Sequence, residues 1–501
     1  MNKIIKAIEQ YAKATPTAIA IQGRGVSISY AALVNEIADA QVCLNNQGKS
    51  RVGLLMDNGP AWAVIDLAAI RNKTVLVPLP SFFSDQQLLH VISSASLDCI
   101  ITDNPGRLTA ILPQAKLRPR PRIAGQNIWQ LVLPDTTKTA LPDGTVKITF
   151  TSGTTGMPKG VCLTENVINS VAMSLSKLIE VCDNDKHLAL LPMAVLLENI
   201  AGLYVALLRG VPCSLPSLYE LGMEGSRTTD LMKMFTVIKD QQATSIIMIP
   251  QMLQALLAAV QQGVRLPDLK FIAVGGASVS PVLLKQAMSA GLPVFEGYGL
   301  SECASVVAVN TPEAVRRGSV GKPLPHLKVT IAPDREILVT GPVYAGYLGE
   351  PPYKSHQPLA TGDLGLIDND GYLYVTGRKK NVFISSYGRN ISPEWIEREI
   401  QAQPVIAQAV VYGESRPWNI AIIVPRTGVT REQIDEAIET VNATLPDYAQ
   451  VNDWLQADEA FALENGQYTA NGRPRRQQIW SQYVERINQL YKQDSVNYLE
   501  I

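Results

Sequence analysis

Along residues 1–377, short apolar runs alternate with helical patterns, and this alternation restricts the fold more than any other feature of the chain. Residues 51–56 read as a strand, 61–70 as a helix and 74–78 as a second strand. The order returns as strand 245–249, helix 250–260 and strand 269–274. Strands joined through covering helices run the same way, so the spacing predicts an α/β fold of parallel-type sheets covered by helices. From Glu336 the texture changes to short β-like runs at 337–340, 364–367 and 372–375. The last follows Asp368-Asn369-Asp370-Gly371, a hairpin turn signal, and a small β-barrel-like region is expected there. The basic stretch Gly377-Arg378-Lys379-Lys380-Asn381 leads into a tail with helix 393–401, strands 407–412 and 421–424, and late helices. Three parts are expected: a large domain at 1–377, a hinge at 378–380 and a mobile small α+β domain at 381–501.

Composition excludes several classes. At 501 residues the chain is too long for one compact core, and 46% hydrophobic residues supply enough apolar material for large ones. A net charge of −1 gives no electrostatic case for a nucleic-acid partner. The six cysteines lie far apart without a Cys-x-x-Cys pair, which argues against a disulfide framework or zinc site and favours a cytoplasmic setting. Residues 1–10 form an amphipathic helix pattern that lacks the apolar centre of a signal peptide. The apolar stretch 188–208 is interrupted or bounded by Pro192, Glu198-Asn199 and Arg209, so it reads as a buried helix or pocket wall, not a transmembrane segment.

Between a strand-like run at 146–150 and a helical run at 165–178, with Thr164 as its N-cap, lies Thr151-Ser152-Gly153-Thr154-Thr155-Gly156-Met157-Pro158-Lys159-Gly160. Glycines let backbone N–H groups converge on an anion, hydroxyls add donors and the lysine adds charge. The chemistry suggested is triphosphate binding. It is not the Walker pattern, because Gly160 follows Lys159 where Ser or Thr is needed.

Residues 148–161 resemble the signature of the adenylate-forming superfamily, which includes acyl-CoA synthetases, peptide-synthetase adenylation domains and luciferases. The resemblance runs essentially from end to end, closest in texture to long-chain acyl-CoA synthetases and fatty acyl-AMP ligases. It implies that Thr151, Ser152, Gly153, Thr154, Thr155, Gly156 and Lys159 hold ATP phosphates. Glu296-Gly297-Tyr298-Gly299-Leu300-Ser301-Glu302 is similar to the second signature, which implies Tyr298 against adenine, Ser301 facing the α-phosphate and Glu302 holding Mg2+. A hard divalent cation and a purine suit a carboxylate and an aromatic face. Gly275-Gly276-Ala277 resembles the turn at the adenine edge, and Thr361-Gly362-Asp363 the ribose motif, where an acceptor-only carboxylate suits a diol. Arg378 would then reach ribose or phosphate, Lys380 would be the pivot, and Gly388 would line the thiol entry path after rotation.

Two positions depart from the superfamily pattern. In Thr469-Ala470-Asn471-Gly472-Arg473, Arg473 occupies the position of the catalytic lysine. It keeps the charge but not the compact ammonium. In Leu190-Leu191-Pro192-Met193-Ala194-Val195-Leu196-Leu197-Glu198, Val195 replaces a histidine or aromatic residue while Glu198 is kept, which implies a larger, more apolar acyl pocket. No motif picks out His90, His187, His326 or His356. The resemblance thus implies ATP- and Mg2+-dependent activation of a carboxylic acid, expected to be a medium or long fatty acid, and transfer to coenzyme A or a carrier-protein phosphopantetheine. The alternatives are an acyl- or aryl-AMP ligase that loads an acyl carrier protein, and an adenylate-binding protein impaired by Arg473.

Overall fold

The computed structural model describes residues 2–44, 51–135, 137–151, 158–179, 184–224, 227–228, 230–277, 279–354, 357–469 and 472–497. Two mixed sheets carry most of the larger part. In a nine-stranded sheet, Ile19–Gly23, Cys213–Ser214, His187–Leu188, Ser245–Met248, Phe271–Val274 and Val294–Tyr298 run parallel in that spatial order. An eight-stranded sheet has Cys99–Thr102, Arg51–Leu55, Val75–Pro78 and Thr145–Thr151 parallel at its centre. Both carry antiparallel strands toward their edges.

The helices follow their sequence signals. Pro60–Asn72 starts on a proline and is buried on nearly every side. Its one acidic group, Asp66, meets the buried Lys147 ammonium at 2.7 Å, and the Tyr204 hydroxyl also donates to Asp66. That pair anchors the strand leading into Thr151. Glu165–Leu178 begins at Thr164, whose hydroxyl accepts from the Val167 N–H at 3.4 Å. Between the two, Lys159–Thr164 is a strand antiparallel to Thr145–Thr151. The sequence contains only three consecutive apolar residues there, Val161, Cys162 and Leu163, too few to announce it. The stretch expected to be a buried helix or pocket wall contains the wide π-type turn Glu198–Tyr204 and the helix Val205–Arg209. Among the described residues no helix is long and apolar enough to cross a membrane.

The β-barrel-like region is a four-stranded antiparallel sheet ordered Lys328–Ile331, Glu336–Thr340, Leu359–Ile367, Leu373–Arg378. The chain after it packs separate cores. Helix Pro393–Gln401 lies on the strand Ile406–Tyr412, which pairs antiparallel with Asn419–Pro425; Val451–Gln456 completes this sheet in parallel. The sheet, helix Arg431–Asn442 and helix Arg476–Asn497 give the expected α+β composition.

Candidate active site

A cavity of about 1850 Å³ opens where the parallel strands end, bounded by the four-stranded sheet and by the tail. Its walls bring together Thr151, Lys159, Val195, Gly275, Gly276, Ala277, Tyr298, Gly299, Ser301, Glu302, Asp363, Arg378, Lys380 and Arg473. Residues from motifs more than 300 positions apart therefore share one space, as sites outside the carboxyl ends of parallel strands commonly do.

The floor is built by close backbone approach. A Cβ on Gly299 would stand 1.7 Å from the Ser305 carbonyl oxygen, and one on Gly275 would stand 3.3 Å from that of Gly297. Gly276 has φ of +84°, the left-handed region where glycine is favoured. Above this floor, Asp363 is only 3% exposed and has both oxygens engaged. The Tyr298 hydroxyl donates to Oδ2 at 2.6 Å, and Arg378 Nε lies 2.7 Å from Oδ1. Burial first, then the Asp363 charge, raises the Tyr298 phenol well above its ordinary value, so it remains a donor. The register pairs Asp363 directly with Arg378 across neighbouring strands.

Arg473 enters from the tail. Its Nη2 donates to the Gly276 carbonyl at 3.1 Å. Protein walls surround its guanidinium, although solvent still reaches it through the cavity. That enclosure first, then the Arg378 charge, lowers its pKa from the ordinary arginine value. The Lys380 ammonium is lowered too, by burial and then by Arg378 and Arg473. Arg378, Lys380 and Arg473 crowd together here, with Asp363, Glu302 and Glu394 as the carboxylates that act on them. Mutual repulsion among the cations favours added negative charge, as a polyphosphate would supply.

Glu302 lies in the short turn Ser301–Cys303. Its Oε1 accepts from the Tyr347 hydroxyl at 2.7 Å, whereas Oε2 has no hydrogen-bond partner among the described residues. No group of three or more His, Cys, Asp or Glu suited to a metal occurs among them. A single carboxylate with an open oxygen fits Mg2+, which takes one or two carboxylates and otherwise phosphate and water oxygens. The Lys159 ammonium stands 5.3 Å from the centre of the Tyr347 ring and 3.5 Å from Glu350.

Several expectations meet a different outcome. Ser152, Gly153, Thr154, Thr155 and Gly156 lie outside the described residues, as does His356. Glu198 does not line the cavity. It is fully buried, 2.8 Å from His187 Nε2, and its Oε2 accepts from the Leu191 N–H at 3.0 Å. His187 faces the cavity instead, with Nδ1 3.0 Å from the Ser245 hydroxyl. Glu198 is thus a brace behind the wall; the wide turn at 198–204 rotates it inward. Gly388, expected beside the thiol path only after rotation, lies outside the cavity in this arrangement, at the turn of the hairpin formed by Phe383–Ile384 and Asn390–Ile391, with φ of +73°. Tyr347 and His187 carried no motif, and only their burial beside charged partners reveals them. His90 and His326 hold local contacts: His90 Nε2 lies 3.0 Å from the Pro158 carbonyl oxygen, and His326 Nδ1 lies 2.8 Å from the Ser174 hydroxyl.

A family model described as AMP-binding enzyme matches residues 8–348, and one described as AMP-binding enzyme C-terminal domain matches residues 380–495. The chain belongs to the AMP-binding enzyme family. It is by class an acid–thiol ligase, which couples ATP-dependent acid activation through an acyl-adenylate to thioester formation. A 2-succinylbenzoate–CoA ligase from Bacillus mycoides is 27% identical over 85% of this chain and 89% of its own length. A long-chain-fatty-acid–CoA ligase from Mycobacterium bovis is 24% identical over 80% of this chain and 78% of its own length. The o-succinylbenzoate CoA synthetase from Bacillus subtilis, solved with its acyl-adenylate intermediate, shares the fold at a TM-score of 0.75 and 22% identity, covering 94% of this chain and 97% of that one.

Proposed function

We propose that this ligase activates a medium or long fatty acid, with Lys159, Glu302, Arg473 and Lys380 as its charged working residues. The observation that supports the substrate reading is the aliphatic part of the cavity wall, where Val195, Leu196, Leu197, Ala201, Val205 and Val211 line it. Such a wall favours an apolar chain by removing its surface from water.

In the first half-reaction a carboxylate oxygen of the acid attacks the α-phosphorus of ATP, and the bond to pyrophosphate breaks. Positioning and charge stabilisation carry such a step. Asp363 accepts from the ribose hydroxyls while Tyr298 and Arg378 hold its carboxylate still. Lys159 and Arg473 face the phosphates and the acid carboxylate. Magnesium held by Glu302 would supply charge neutralisation on the phosphates. In the second half-reaction the thiol sulfur attacks the acyl carbon, the bond to AMP breaks and the thiol proton leaves. Coenzyme A or a carrier-protein phosphopantetheine supplies that thiol, reached by turning the tail about Lys380 so that Gly388 approaches the cavity.

A second reading, an aromatic acid, is favoured by the 2-succinylbenzoate–CoA ligases among the relatives. ATP–pyrophosphate exchange across fatty acids from C6 to C18, benzoates and 2-succinylbenzoate separates the two. Exchange with fatty acids alone is the expected result. Exchange only with aromatic acids overturns the substrate, and no exchange with any acid overturns the adenylation role.

A further inference from the structure

The strand Gly346–Tyr347 is short, yet it joins two parts of the site that the sequence keeps far apart. It pairs antiparallel with Lys159–Thr164, with Tyr347 opposite Val161 and Gly346 opposite Cys162. The Leu348 N–H donates to the Gly160 carbonyl at 2.8 Å, and the Ala345 N–H donates to that of Cys162 at 2.8 Å. Just before it, the Tyr344 N–H donates to the Glu302 carbonyl at 2.6 Å. Backbone bonds on both sides thus fix the Tyr347 ring between the strand that begins at Lys159 and the turn that carries Glu302.

The side chain uses both of its ends. Its hydroxyl donates to Glu302 Oε1 at 2.7 Å, and its ring face lies 5.3 Å from the Lys159 ammonium. The ring packs edge-on against Tyr344, 5.0 Å between centres, which limits its rotation. A carboxylate with one oxygen held by a fixed donor loses rotational freedom, and its other oxygen is presented in one direction. The Lys159 ammonium is held likewise, between this aromatic face and the Glu350 carboxylate 3.5 Å away.

We propose that Tyr347 is a positioning residue that sets the open oxygen of Glu302 toward the metal and holds Lys159 beside it. The proposal rests on the reading of Glu302 as the magnesium carboxylate. It predicts two separable losses, because phenylalanine keeps the ring while leucine removes ring and hydroxyl together.

The experiment measures Mn2+ binding to the full chain saturated with ATP, by the electron paramagnetic resonance signal of free Mn2+. Affinities for AMP and for metal-free ATP are measured alongside by calorimetry. Tyr347→Phe is expected to weaken Mn2+ roughly tenfold, the range of a hydrogen bond to a charged group, with AMP and metal-free ATP affinities unchanged. Tyr347→Leu is expected to weaken Mn2+ as much and also to lower metal-free ATP affinity about threefold through Lys159. Unaltered AMP binding in both variants reports that the cavity is folded. If Glu302→Gln weakens Mn2+ but Tyr347→Phe binds it like the natural chain, the positioning role is overturned while the Glu302 assignment stands. If Glu302→Gln also binds Mn2+ normally, both are overturned. If leucine and phenylalanine give the same metal-free ATP affinity, the Lys159 half is overturned.

Discussion

Arg473 and Asp363 show how much depends on where one charge sits. A guanidinium offers a flat fork of donors, and Arg473 already spends one on the Gly276 carbonyl at 3.1 Å. Removing the cation from the cavity should cost adenylation dearly. Arg473→Ala is expected to lower ATP–pyrophosphate exchange about a hundredfold, whereas Arg473→Lys should keep or raise it. Exchange by Arg473→Ala at the natural rate would remove Arg473 from the reaction. Asp363 makes a different contribution, because Tyr298 and Arg378 already pin both of its oxygens. With its remaining lone pairs assigned to the ribose, Asp363→Ala should raise the KM for ATP roughly tenfold or more with a smaller change in kcat. An unchanged KM would falsify the ribose role.

At the scale of elements, the wide turn Glu198–Tyr204 decides what its carboxylate can do. Gly202 belongs to the turn for a steric reason: a Cβ there would stand 2.3 Å from Glu198 Oε1 and 2.6 Å from His187 Nε2. Gly202→Ala should therefore split the buried pair and lower the melting temperature by several degrees, as should Glu198→Ala, since a buried hydrogen-bonding group left without its partner costs about 1–3 kcal/mol. Because both act on one contact, the double variant should melt close to Glu198→Ala alone. Additive losses would show that Gly202 matters for another reason. This element also marks where sequence reasoning stops. The helix Glu165–Leu178 with its Thr164 cap, and the helix Pro393–Gln401 with its leading proline, were legible because capping and periodicity are local signals. Asp363, Tyr298 and Glu302 were legible as motif members, and they do share the cavity. Which way Glu198 points was not legible, since a π-type turn changes the angle per residue without a residue that announces it. Nor was its partner, because His187 is eleven positions away on a buried strand.

Across the whole molecule, the tail closes on the cavity, and one of its contacts involves a titrating group. The Gln254 amide donates to the Gln401 carbonyl at 3.3 Å, Arg473 reaches Gly276, and Glu296 faces Arg398 of the helix Pro393–Gln401. Burial pushes the Glu296 carboxyl up from an ordinary 4.5 to about 8, although Arg398 and the Val279 N–H pull against it. If the tail turns away, Glu296 meets water and returns toward the ordinary value. Below about pH 4.5 it is protonated in both arrangements, so pH does not choose between them. Between that value and about 8 only the water-facing form ionises, so rising pH draws the molecule away from the apposed arrangement, and above 8 the effect levels off. Energy transfer between dyes on Lys285→Cys and Glu439→Cys, both at exposed positions, reads the apposition directly. Transfer should fall as pH rises from 6 to 8 in the otherwise natural chain and stay level once Glu296→Gln is added, because glutamine cannot ionise. A profile that keeps its slope with Glu296→Gln assigns the titration to another group. A level profile in the otherwise natural chain means that burial of Glu296 does not depend on where the tail sits.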